Sequence, residues 1–144
     1  MAYPDSLQRK LQYVFWKVFT PAHPHVRDLL TSTGLVRRRG RQKYLFGKIA
    51  PHRTIESLVE HLIKHGWGKH FVAWREEGEI VGLRKVDGFE RQYHLRIFDD
   101  GEVRGHYEST PECYPITHLL EAASEERREE FLALLDGWII SHGA

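Results

Sequence analysis

Between Gln92 and Glu108 the sequence QYHLRIFDDGEVRGHYE alternates apolar and polar residues on either side of Asp99-Asp100-Gly101. Period-two alternation around a turn cluster predicts a β-hairpin. Phe98 to Glu102 fits a three-residue loop in which a type I turn ends in a left-handed glycine. Closing the ladder at Phe98 and Glu102 sets Ile97 opposite Val103, Leu95 opposite Gly105 and Tyr93 opposite Tyr107 on an apolar face. The other face then carries Gln92/Glu108, His94/His106 and Arg96/Arg104 as opposed pairs. A two-residue loop would mix apolar and charged residues on both faces, so turn and pattern agree only for the longer loop.

The same loop grammar, Arg75-Glu76-Glu77-Gly78-Glu79, joins Phe71–Trp74 to Ile80–Val86, and EEGEIVG (76–82) aligns with DDGEVRG (99–105). These strands predict an α+β fold: a four-stranded antiparallel β-meander over about residues 70–108, helices packed on one face, the opposite face polar and open. Asp5 caps a first helix to about Phe19 with a buried stripe of Leu7, Leu11, Val14, Phe15 and Val18. A short second helix spans Pro24 to Leu30. Tyr44–Ile49 reads as a further strand. Thr54 caps a helix from Ile55 to about His65, stopped by Gly66. A short helix starts near Pro115. Ser124 caps a last helix whose stripe is Phe131, Leu134, Leu135 and Trp138, with Gly143 just past its end. No composition shift or low-complexity segment divides the chain, so residues 1–144 are expected to form a single domain.

Composition changes this picture little. At 144 residues with 41% hydrophobic content, the chain can bury its own core. The formal charge of +1 supplies no global field toward nucleic acid or membrane, so any such partner must be met by a local patch. Cys113, the single cysteine, excludes an internal disulfide framework and an all-cysteine metal site, and suits a reducing, cytoplasmic setting. No apolar run approaches the roughly 20 residues of a membrane helix, and the N-terminus lacks a signal-peptide core. Phosphate-loop, dinucleotide and nucleophile-elbow motifs are absent. Cys113 between prolines reads as an apolar filler, and Trp16, Trp67, Trp74 and Trp138 as core or interface residues.

The candidate chemistry sits on the polar hairpin face. Two arginines directly opposed across a ladder repel, which calls for an anion over them. The leading expectation is a nucleic-acid-binding protein, RNA or DNA, gripping the phosphate backbone with Arg96 and Arg104. Help comes from the basic run Arg37, Arg38, Arg39, Arg41 and Lys43, and Tyr44 and Phe98 serve as stacking surfaces. His94 and His106 extend this to a metal-independent nuclease, one imidazole acting as base and the other as acid. Whether the chain is an enzyme stays open, and no cofactor is needed on this reading. One alternative is a divalent metal such as zinc, held by His94, His106, Glu108 and His118. A second metal set, His61, His65 and His70 with Glu60, uses the i, i+4 helical spacing, but lacks the glutamate that a zinc-protease helix carries. The other alternative is a homodimeric structural or interaction protein whose partner's glutamates neutralise the polar face. Ten histidines make metal or proton chemistry worth seeking by spacing alone.

Overall fold

The computed structural model describes residues 43–69, 76–88, 90–111 and 124–142 as continuous stretches, with positions 14, 18, 25, 28–29, 32–34, 41, 113–114, 117–118 and 121. Among these are strands β1 (Tyr44–Ile49), β2 (Gly68–Lys69), β3 (Glu79–Asp87), β4 (Arg91–Phe98), β5 (Glu102–Ser109) and β6 (Ile139–Ser141), and helices α1 (Ile55–Lys64) and α2 (Arg128–Leu135). The strands form one antiparallel sheet in the order β2-β3-β4-β5-β1-β6, with β2 only two residues long. The α+β class follows. The expected helices over 5–19 and 24–30 and the strand Phe71–Trp74 lie largely or wholly outside the described residues. Val14 and Val18, expected in a buried stripe, are exposed. No helix among the described residues is long and apolar enough to cross a membrane.

The hairpin is closed as its turn chemistry requires. Gly101 has φ 85° and its N–H donates to the Phe98 carbonyl at 3.0 Å. Asp100 Oδ1 accepts from the Glu102 N–H at 3.0 Å. The β4–β5 register pairs Gln92 with Glu108, Tyr93 with Tyr107, His94 with His106, Leu95 with Gly105, Arg96 with Arg104 and Ile97 with Val103. Gly105 is required here: a β-carbon would lie 2.1 Å from the His94 carbonyl oxygen. Gly78 (φ 80°) turns the β3 approach in the same way, and the Asp99 N–H bonds to the Gly78 carbonyl, joining the two turns.

Thr54 caps α1 through a reciprocal pair with Ser57, as the sequence indicates. The end of the chain differs from expectation. The last helix begins at Arg128 rather than after Ser124 and stops at Leu135, because Gly137 (φ 75°) turns the backbone out of the helix. Ile139–Ser141 then form β6 against Gly47–Ile49. The apolar sheet face packs Phe46, Leu83, Leu95, Ile97 and Val103 against Leu58 and Leu62 of α1 and Phe131 and Leu135 of α2. Phe131 stacks on Phe46 at 4.7 Å. Burying each such side chain contributes about 1.5–3 kcal/mol, so this face carries the fold.

Candidate functional site

The opposite sheet face is polar, as the alternation demands, but it is closed rather than open. Along it lie Arg84 and Gly82 of β3, Gln92, His94 and Arg96 of β4, and His106 and Glu108 of β5, with Arg84 beside His94 and Gly82 beside Arg96. Lys43 enters one residue ahead of β1. Arg84 and Gln92 are 0% exposed, Glu108 and His94 1%, and His106 2%. This corrects the solvated face expected from sequence. Antiparallel sheets with a wet face are common, but here the polar residues form a second interior.

Glu108 organises that interior. Its Oε1 accepts from Gln92 Nε2 at 2.9 Å and from His94 Nδ1 at 2.7 Å. Its Oε2 accepts from Lys43 Nζ at 2.7 Å, is in contact with His106 Nε2, and lies 3.7 Å from His118 Nδ1. The segment after β5 therefore folds back to bring His118, which donates to the Ser109 carbonyl, beside the cluster. Gln92 Oε1 accepts from Arg84 at 3.0 Å, so one amide bridges a guanidinium to the carboxylate.

Burial pushes the Glu108 carboxyl up, but the Lys43 ammonium and the surrounding histidines outweigh it and hold the group well below its ordinary 4.5. Burial, then the Lys43 charge, lowers both imidazoles: His94 falls well below 6.5 and His106 falls less. Both shifts favour the neutral imidazole. Burial lowers Lys43 from 10.5, with Glu108 opposing and Arg96 adding to the fall. Because Glu108 takes the His94 Nδ1 proton as a hydrogen bond, Nε2 is the basic nitrogen of that ring. Lys43 Nζ, His106 Nε2 and Glu108 Oε2 close a triangle, with Nζ 2.8 Å from Nε2. A neutral imidazole nitrogen there either accepts from Lys43 or donates to Glu108, so two proton arrangements compete within one cluster. His106 Nδ1 is buried and meets no hydrogen-bond partner among the described residues.

The residues expected to grip a polyanion are already engaged. Arg96 pairs with Glu79 and Arg104 Nε meets Glu102 at 2.7 Å, which relieves the repulsion across the ladder. Gly82 has no side chain, and a β-carbon there would stand 2.9 Å from Glu79 Oε1, so the glycine lets Glu79 lie over the sheet to reach Arg96. Arg41 meets Asp100 at 2.7 Å and Glu102 at 2.6 Å and covers the Phe98 ring at 4.1 Å. Phe98 is 0% exposed and is no stacking platform. Tyr44 carries Arg128 over its ring. Arg37, Arg38 and Arg39 lie outside the described residues.

The alternative metal set does converge, since His94, His106 and His118 all approach Glu108, but the Lys43 ammonium lies against both His106 and Glu108. Among the described residues no group of histidine, cysteine and acidic side chains is placed to hold an ion. His61 and His65 share a helix face with rings 4.4 Å apart, yet His61 Nε2 donates to the Leu134 carbonyl and His65 Nδ1 to the His61 carbonyl. His70 lies outside the described residues.

Sequence reasoning missed Arg84, Glu79 and the role of Lys43. Arg84 was within reach: period-two alternation along β3 puts it on the face of its neighbour His94. Glu79 and Lys43 arrive through a bulge between Glu79 and Val81 and through the non-local β1–β5 pairing, neither of which leaves a short-range pattern. No family model matches the sequence, and neither curated proteins nor solved structures give a match.

Proposed function

We propose that the buried polar face is an acid–base centre for a small anionic substrate, working without a metal ion. The observation that carries this reading is Glu108, one desolvated carboxylate that orients two neutral imidazoles and an ammonium. Burying so many ionisable groups is not a way to stabilise a sheet. Apolar residues of similar volume in place of a buried ion pair are often neutral or stabilising by about 1–4 kcal/mol. Perturbed titratable groups gathered on specific charge partners are the usual mark of proton-transfer sites.

On this reading His94 takes a proton at Nε2, with Glu108 holding the opposite nitrogen. Lys43 and His106 supply a proton in return. Lys43, Arg84 and Arg96 on this face already pair with Glu108, Gln92 and Glu79, so an anion enters by exchanging with one of these partners, and enclosure favours a small molecule over a polymer backbone. Phosphodiester cleavage by His94 is retained as one reaction open to such a site, acting on a nucleotide-sized ester rather than on nucleic acid.

The test is thermal unfolding in rising concentrations of acetate or inorganic phosphate, with chelator present. A ligand at 100-fold its Kd adds about 2.7 kcal/mol, so a saturable rise of the midpoint is expected, and Lys43→Gln should weaken it. Absence of saturable stabilisation by either anion would overturn the proposal. Hydrolysis of a small chromogenic phosphodiester, lost in His94→Gln and insensitive to chelator, then decides whether that ester is the substrate.

A further inference from the structure

We infer that Lys43 is an amine nucleophile that forms an imine with a small oxo-carboxylate, with His106 carrying the protons. This rests on the face being an anion site and names the substrate class it would take.

The geometry supplies each element that amine catalysis needs. Nζ is fixed on two sides, 2.7 Å from Glu108 and 2.8 Å from His106 Nε2, so its lone pair, once bared, has a defined direction. His106 Nε2 lies in hydrogen-bond contact and takes the proton in the arrangement in which that nitrogen does not donate to Glu108. Lys43 is 8% exposed, and an amine in such surroundings is held by few water molecules that must be stripped before attack. Burial and the nearby Arg96 disfavour its ammonium form and prevail over the opposing pull of Glu108; desolvation and a neighbouring cation are the two devices by which lysines are made nucleophilic near neutrality.

The step balances without any redox partner. Nζ passes one proton to His106 Nε2, and its lone pair attacks the carbonyl carbon as the C=O π pair moves to oxygen. That oxygen takes the proton back from His106, giving a carbinolamine still protonated on nitrogen. A second proton then leaves Nζ for His106, which returns it to the hydroxyl. Water departs, the nitrogen lone pair forms C=N, and the product is a protonated imine carrying the single positive charge that the ammonium had. Glu108 steadies the imidazolium that forms in transit.

The experiment uses the unmodified chain and glyoxylate, the smallest oxo acid, with cyanoborohydride to reduce any imine to a stable secondary amine, followed by peptide mapping. Each unit by which an amine's pKa falls raises its unprotonated fraction about tenfold near neutrality. Lys43 should therefore be alkylated faster than exposed Lys48, Lys64 and Lys85, and Lys43→Arg should remove that fast phase. For an inert buried lysine the order is reversed. Fast labelling confined to the surface lysines, or none at all, overturns the inference. If acetate still raises the unfolding midpoint in that case, the anion site stands and only the imine chemistry falls. If acetate has no effect either, both fall.

Discussion

Replacing Glu108 by glutamine keeps the shape of the side chain and removes the charge on which the polar interior depends. Glu108 accepts hydrogen bonds from Lys43, Gln92 and His94 and is in contact with His106 Nε2. A glutamine offers one carbonyl oxygen, and turns an amide donor toward two of these groups. Breaking a buried ion pair by removing one partner costs about 3–5 kcal/mol, a large share of the ~5–15 kcal/mol that holds a domain together. At about 4 °C per kcal/mol for a chain of this size, Glu108→Gln should lower the unfolding midpoint by roughly 12–20 °C at neutral pH. The deficit should itself depend on pH. The wild-type carboxyl is held below 4.5 in the fold, so its contribution is complete above 4.5 and is lost as pH falls toward the folded value. In the variant Lys43 has no anion, and the neutral amine the fold prefers is disfavoured only below the unfolded value of 10.5. The gap between the two proteins is therefore widest near neutrality and narrows at both ends. Denaturant unfolding followed by circular dichroism at acidic, neutral and alkaline pH measures it. A loss below about 1 kcal/mol, or one that is flat across pH, would refute the claim that Glu108 is the charged hub.

Other outcomes follow from the same geometry. His94 and His106 are both lowered from 6.5, so the unfolded chain takes up protons that the native state refuses, and stability should fall as pH drops below 6.5. The slope should approach roughly 1.4 kcal/mol per pH unit from His94, with a smaller part from His106, and should drop in His94→Phe if the fold persists. Replacing Lys43, His94, His106 and Glu108 together by apolar residues of similar volume should leave the midpoint equal or higher while abolishing anion stabilisation. A collapse of the fold would show the cluster to be structural. Gly105→Ala should cost at least about 1–3 kcal/mol, since its new methyl meets the His94 carbonyl oxygen at 2.1 Å. Hydrogen exchange should show that loss along β4 and β5. Burial and the hydrogen bond to Glu130 push the Tyr93 phenol up to about 12, so in an absorbance titration it should ionise late, and earlier in Glu130→Gln.

How far the sequence reveals this molecule depends on the range of the interaction that decides each feature. The hairpin register was legible because the loop Asp99-Asp100-Gly101 and the flanking alternation are local and agree. The α1 cap was legible for the same reason, since Thr54 and Ser57 are neighbours on one turn. The relief of Arg104 was also present in the sequence, because Glu102 stands two residues before it on the same strand face. What could not be read is the closure of the polar face. Alternation distinguishes a polar face from an apolar one, but not a wet face from one sealed inside the chain, since Arg84, His94 and Glu108 look alike either way. The end of the chain was misread because Phe131 to Trp138 keeps helical spacing across Gly137, and a single left-handed glycine redirected Ile139–Ser141 into the sheet.

The place of β1 in the sheet has a consequence for biosynthesis. It is the first strand to leave the ribosome among those described, yet its neighbours are β5 and β6, so its ladders wait for residues 102–109 and 139–141. Until those emerge, Tyr44–Ile49 presents two unpaired edges and the side chain of Phe46 to the cell, a hazard for aggregation of nascent chains. Non-local pairing of this kind also slows folding. Translation stalled before residue 139 should therefore yield a species that chaperones hold, and release of the final strand should free it.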